Sequence, residues 1–145
     1  MGKVPDTYAI QPLGKFLAII GRKFLNALHI KLKVLDIERN FYALLIIEAG
    51  KGQITQQDLA ELLDSDKVSV VRIIDYLSNK GYVERVKDLA DKRKYGLILT
   101  LKAENEMPLI KKAIEEVTRD AFKGLKEEKI KELYNTLNII RNNLE

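Results

Sequence analysis

The sequence predicts a mainly α chain with a small antiparallel β wing, and three observations lead there. Apolar residues recur at helical spacing through most of the chain, and between Thr55 and Gly81 two short helical patterns are separated by only three polar residues. After Gly81, two runs of β-forming residues flank a charged loop. That order is a helix-turn-helix followed by a hairpin wing, with further helices on both sides.

Each boundary of the central stretch has a local cause. Thr55 is a good N-cap, Asp58 stands three residues on as in a capping box, and Ile54 with Leu59 forms a hydrophobic staple. A helix starts here, with Leu59, Leu62 and Leu63 as its apolar residues. Asp64-Ser65-Asp66 then interrupts the pattern with turn and cap formers. From Lys67 the residues Val70, Ile73, Ile74 and Leu77 return at helical spacing, and Gly81 suits the position just past the helix end. Tyr82–Val86 and Leu97–Thr100 read as the two strands of the wing.

The outward side of the second helix carries residue types that read DNA. Lys67 and Arg72 suit phosphate or guanine, Ser69 suits phosphate or a base edge, and Val68 and Val71 suit a thymine methyl. Taken alone, the helix also fits an ordinary amphipathic surface helix with solvated cations. The wing changes that balance. Residues 65–96 hold eight Lys or Arg against five Asp or Glu, so this window carries +3 of the chain's formal +4. Lys92, Arg93 and Lys94 suit the phosphate backbone, and an Arg93 guanidinium suits a narrow A·T-rich minor groove. Asp91, two residues earlier, is placed to hold that guanidinium extended.

LAELLDSDKVSVVRIIDYLSNKGYVER, followed by DKRKYGLILT, resembles the MarR (multiple antibiotic resistance regulator) family. The most specific matches are Lys80-Gly81-Tyr82-Val83-Glu84-Arg85, Asp91-Lys92-Arg93 and Leu99-Thr100, and the resemblance extends over nearly the whole chain. It implies that Ser69 and Arg72 face DNA and that Arg93 is a wing arginine supported by Asp91. It also implies dimerisation through the terminal helices and a cleft between two lobes that receives small amphipathic or aromatic ligands. Five residues depart from the usual pattern: Asp64 stands where many members have Gly, Val68 and Val71 replace Ser or Thr, Gly96 replaces an apolar strand residue, and Ala103 stands near where a Gly often follows Leu99-Thr100.

The rest of the chain fits one compact protomer. At 145 residues, 46% hydrophobic and 32% charged, the composition is that of a single globular domain spanning 1–145. Residues 34–100 form its expected winged helix-turn-helix lobe, with 8–33 and 101–145 as dimerisation helices. Leu13, Phe16, Leu17, Ile20, Phe24 and Leu28 make one apolar stripe. Ile130, Leu133, Leu137, Ile140 and Leu144 alternate spacings of three and four, as in an a/d seam. Either stripe suits a second copy or the chain's own core; the resemblance favours the dimer, with Leu13 and the second stripe at its interface. Phe16, Ile20, Phe41 and Tyr42 are candidates for the ligand cleft, although residues of this kind more often belong to plain core.

Several function classes are excluded. There is no cysteine, hence no disulfide, thiolate metal site or thiol switch, and His29 is the single histidine. No catalytic residue, metal site or cofactor is expected: phosphate-loop and nucleophile motifs are missing, and adjacent pairs such as Glu115-Glu116 point in different helical directions. The segment LGKFLAIIGRKF is too short and too charged to span a bilayer, and Asp6 breaks the myristoylation pattern. The expectation is a cytoplasmic homodimer that regulates transcription on a pseudo-palindromic double-stranded operator, with repression by occlusion favoured over activation. The rival is a winged-helix module that uses the same helix against a protein partner.

Overall fold

The computed structural model describes residues 10–87 and 94–145. Its order is α1 (Leu13–Lys31), α2 (Phe41–Gly50), α3 (Gln56–Leu62), α4 (Lys67–Asn79), β1 (Val83–Lys87), β2 (Tyr95–Leu99), α5 (Leu101–Ala121) and α6 (Glu127–Asn143). The mainly α fold with a two-stranded antiparallel wing is therefore as expected.

Local chemistry sets the central elements. Thr55 Oγ accepts the Asp58 N–H and the Asp58 carboxylate accepts the Thr55 N–H, so both arms of the capping box are present. Those bonds hold the Asp58 carboxyl below its ordinary range. Past the C-terminal end of α4, Gly81 has φ 80°, a region that costs most residues energy and glycine little. The Tyr82 N–H bonds the Leu77 carbonyl at 2.8 Å and the Gly81 N–H bonds that of Ser78 at 3.0 Å, the paired bonds of a Schellman ending.

The wing pairs Val83 with Leu99 through to Lys87 with Tyr95. β2 starts two residues earlier than the β-forming run suggests, and Gly96 lies inside it. The reason is a third backbone segment: the Leu97 N–H bonds the Ile54 carbonyl at 2.8 Å, and Gly96 forms a bridge with Thr55. A Cβ on Gly96 would lie 1.9 Å from the Gly52 carbonyl oxygen, so only glycine permits this approach.

One continuous core joins the elements. It runs from Leu28 and Leu32 through Phe41, Leu44 and Ile47 to Ile74, Leu77 and Leu97, and on to Met107 and Ile110 of α5. Burying each such aliphatic side chain is worth about 1.5–3 kcal/mol. α1 packs along α5, while α2, α3, α4 and the sheet pack on one another. Pro108 sits exposed within an unbroken α5. α6 differs from all of these, for none of its residues is buried. Among the described residues, no helix is long and apolar enough to cross a membrane.

Candidate nucleic-acid interface

The turn between α3 and α4 presents the start of α4 to solvent. Asp64 has φ 50°, and the Ser65 and Asp64 N–H groups bond the Ala60 and Glu61 carbonyls at 2.9 and 3.1 Å. α3 therefore ends as α4 does, with Asp64 in the left-handed position that glycine usually takes. Aspartate tolerates that conformation better than most residues.

Asp66 then caps α4. Its carboxylate accepts the Ser69 N–H at 2.8 Å and the Ser69 hydroxyl at 2.7 Å, and these bonds hold the carboxyl below the ordinary range. The expected reader Ser69 thus spends its hydroxyl proton on its own cap. The Asp-x-x-Ser spacing is the sequence signal for that role.

Val70, Ile74 and Leu77 turn inward and are buried. Lys67, Val68 and Arg72 face out, Val68 at 64% exposure, while Ser69 and Val71 are half-buried. Beside them an open cleft of about 520 Å³ is lined by Gln56 and Gln57 of α3, Lys67 of α4, Arg85 of β1, and Lys94 with Tyr95. Lys67 and Lys94 thus share one face with α4's exposed end. Arg85 was not anticipated as part of it. Its guanidinium bonds Asp75 at 3.0 Å and fastens β1 to α4. Asp91, Lys92 and Arg93, expected at the wing tip, lie outside the described residues.

The candidate ligand-cleft residues do not come together. Phe41 is fully buried in the core, which corrects its assignment to a cleft: it opens α2 on that helix's inward side, against the apolar residues of the core. Phe16 and Tyr42 are exposed at 42% and 39%. Of the four, only Ile20 lines the apolar groove of about 380 Å³ between α1 and α5, together with Phe24, Ala27, Val117 and Ala121 and the charged Lys23, Lys31 and Asp120. Of the expected seam, Leu13, Leu133 and Leu144 are exposed and Ile130, Leu137 and Ile140 half-buried. Among the described residues no group of three or more His, Asp or Glu is placed to hold a metal ion.

Known proteins share this arrangement. A model of the MarR family matches residues 37–94. An uncharacterised HTH-type transcriptional regulator, YybA of Bacillus subtilis, is 27% identical over 129 residues, 89% of this chain and 86% of that protein. The crystal structure of the transcriptional regulator SlyA superimposes with TM-score 0.85 at 26% identity, covering 92% of this chain and 94% of that one. This chain is thus similar to the MarR family over its winged helix-turn-helix stretch and shares the fold of such regulators over most of its length. A mutant MarR from E. coli, solved with operator DNA, matches at TM-score 0.80 and 25% identity over 94% of this chain and 99% of that one. Both YybA and SlyA carry the name of transcriptional regulators. The local backbone of this chain accounts for Asp64 and Gly96, since each residue meets the demand at its position.

Proposed function

We propose that the protein regulates transcription as a cytoplasmic homodimer whose two α4 helices enter successive major grooves of a pseudo-palindromic operator. The observation that carries this reading is the outward N-terminal end of α4, where Lys67, Val68 and Arg72 stand exposed beside a cleft that also holds Arg85 and Lys94. Arg72 and Val68, with Val71 beside them, specify bases. Lys67 and Lys94, with Lys92 and Arg93 of the wing, engage phosphates and the flanking minor groove, and Asp91 orients Arg93. The dimer forms through Leu13 and the α6 residues Ile130, Leu133, Leu137, Ile140 and Leu144, and occupancy of the operator represses by occlusion.

The groove between α1 and α5 is the better-supported place for a small amphipathic effector, with Ile20 as the one residue it keeps from the expected cleft. An effector bound there that prefers one separation of the α4 helices changes operator affinity, and the operator changes effector affinity by the same factor.

Binding of the full chain to random duplex DNA, followed by fluorescence anisotropy across a salt series, tests the reading. Affinity should fall log-linearly with salt as counterions are released. Salt-insensitive or absent binding would favour the protein-partner role instead, which the exposed Val68 also fits.

A further inference from the structure

The C-terminal end of α4 is gripped from two sides. Asp36 lies in the connection between α1 and α2, between the buried Leu32 and Ile37. Its carboxylate holds Lys80 Nζ at 2.8 Å. The Tyr76 hydroxyl is shared between Asp36 Oδ1 and the Asp36 carbonyl, each at 3.2 Å. From the other side, the Lys102 ammonium donates to the Lys80 carbonyl at 2.8 Å and the Thr100 hydroxyl to the Gly81 carbonyl at 2.5 Å. Thr100 is also the N-cap of α5, accepting the Ala103 N–H at 3.2 Å. The last turn of α4 is therefore tied both to the segment leaving α1 and to the first turn of α5.

Exposed ion pairs of this kind add little to stability. Their geometric leverage is larger. α4 has 13 residues, so it is about 20 Å long, and a pivot of roughly 10° at its C-terminal end moves its N-terminal end by about 3.5 Å, close to one base-pair rise. Tyr76 and Lys80 sit one turn apart on α4, and Asp36 engages both at once, so it resists rotation as well as displacement.

We propose that Asp36 is a positioning residue: through Tyr76 and Lys80 it fixes the direction of α4 relative to α1 and α5, and so sets which half-site spacing the dimer accepts. This rests on the reading of the protein as a dimeric DNA binder. Two effects have opposite signs at this residue. Deleting a carboxylate raises the net positive charge and by itself strengthens binding to any duplex. Loss of positioning weakens binding to the preferred spacing only.

The test starts with the full-length wild type, used to select preferred duplexes from a randomised library. Half-sites of the selected sequence are then moved one base pair closer or farther apart, and affinities are measured for wild type, Asp36→Ala, Asp36→Asn and Tyr76→Phe at two salt concentrations, with melting temperatures in parallel. Asp36→Ala should reduce the preference for the selected spacing at least about threefold, with Asp36→Asn and Tyr76→Phe intermediate. Salt dependence on random duplex should stay as in wild type. Should Asp36→Ala melt below the assay temperature, Tyr76→Phe, which keeps the ring packing, carries the comparison. A uniform change at every spacing, or none, overturns the proposal. Selection of an unpaired half-site overturns it while leaving DNA binding intact, and a wild type that enriches no sequence overturns both.

Discussion

α4 and α6 carry the same kind of apolar repeat and meet opposite fates. α4 buries Val70, Ile74 and Leu77 in the core of its own protomer and leaves Lys67, Val68 and Arg72 outside. α6 buries nothing, and Leu133, Tyr134, Ile139 and Leu144 face solvent, Leu144 at 83% exposure. Its aromatic tie to the chain is the edge contact of Tyr134 with Phe122, ring centres 6.2 Å apart. A helical period therefore reports that a face is to be covered, without saying by which chain. Unpartnered apolar rows mark interaction surfaces, which is why α6 supports the proposed dimer and α4 does not.

The largest way to break that contrast is a charge in the α6 row. Leu137→Asp would place one uncompensated carboxylate from each protomer in an apolar interface, a cost of several kcal/mol per ion. Sedimentation should show a dimeric wild type and a monomeric variant whose helix content is retained. A wild type that is monomeric at micromolar concentration would remove the dimer from the proposed function.

The matching change in α4 acts within the protomer. Ile74 is fully buried, and Ile74→Ala should lower unfolding stability by about 2–5 kcal/mol through lost transfer energy and a residual cavity. Urea unfolding measures it. Leu133→Ala on the exposed α6 row should shift the dependence of unfolding on protein concentration instead. Equal effects of the two substitutions would erase the distinction between the helices.

What could be read ahead of the structure follows sequence distance. The caps at Thr55 and Asp58, the corner at Asp64 and the ending at Gly81 all depend on partners within five residues, and each was legible. Gly96 meets Gly52, and Asp36 meets Tyr76 and Lys80, across some forty residues. Composition gives no hint of such pairs, because an exposed Asp reads as solvated. Phe41 and Phe16 show a second limit. Both are aromatic residues on apolar helical faces, and only packing separates the buried ring from the exposed one. At the site, Lys67, Val68 and Arg72 were legible from their phase against Val70 and Ile74, whereas the Arg85–Asp75 tie between β1 and α4 was not.

The outer face of α4 can be tested without disturbing its inner one. Arg72 is exposed and lies on the opposite side of the helix from Ile74. Arg72→Ala should leave unfolding stability within about 0.5 kcal/mol of wild type. It should cost about 1–3 kcal/mol of discrimination at one operator position if the guanidinium pairs with a guanine. Competition with single-base operator variants would reveal it; a uniform loss across all sequences would reassign Arg72 to phosphate contact.

The smallest effect sharpens the boundary between the two faces of α4. Asp66 and Ser69 stand at the reading end, yet their mutual bonds make them a cap. Asp66 has its carboxyl held below the ordinary value by the Ser69 N–H and hydroxyl. A depressed folded-state value means that the stabilisation is present above the unfolded value, about 3.9, and is lost as pH falls through the folded one. The advantage of wild type over Asp66→Asn should therefore be constant from neutral pH down to about 5 and shrink below about 4. It should be modest even at its largest, since asparagine is itself a good N-cap. Ser69→Ala keeps the backbone donor and deletes only the hydroxyl, so it should retain most of that acid dependence and alter operator preference less than Arg72→Ala. If Ser69→Ala instead changes base preference as strongly as Arg72→Ala, the hydroxyl leaves its cap to read DNA, and the start of α4 belongs wholly to the outer face.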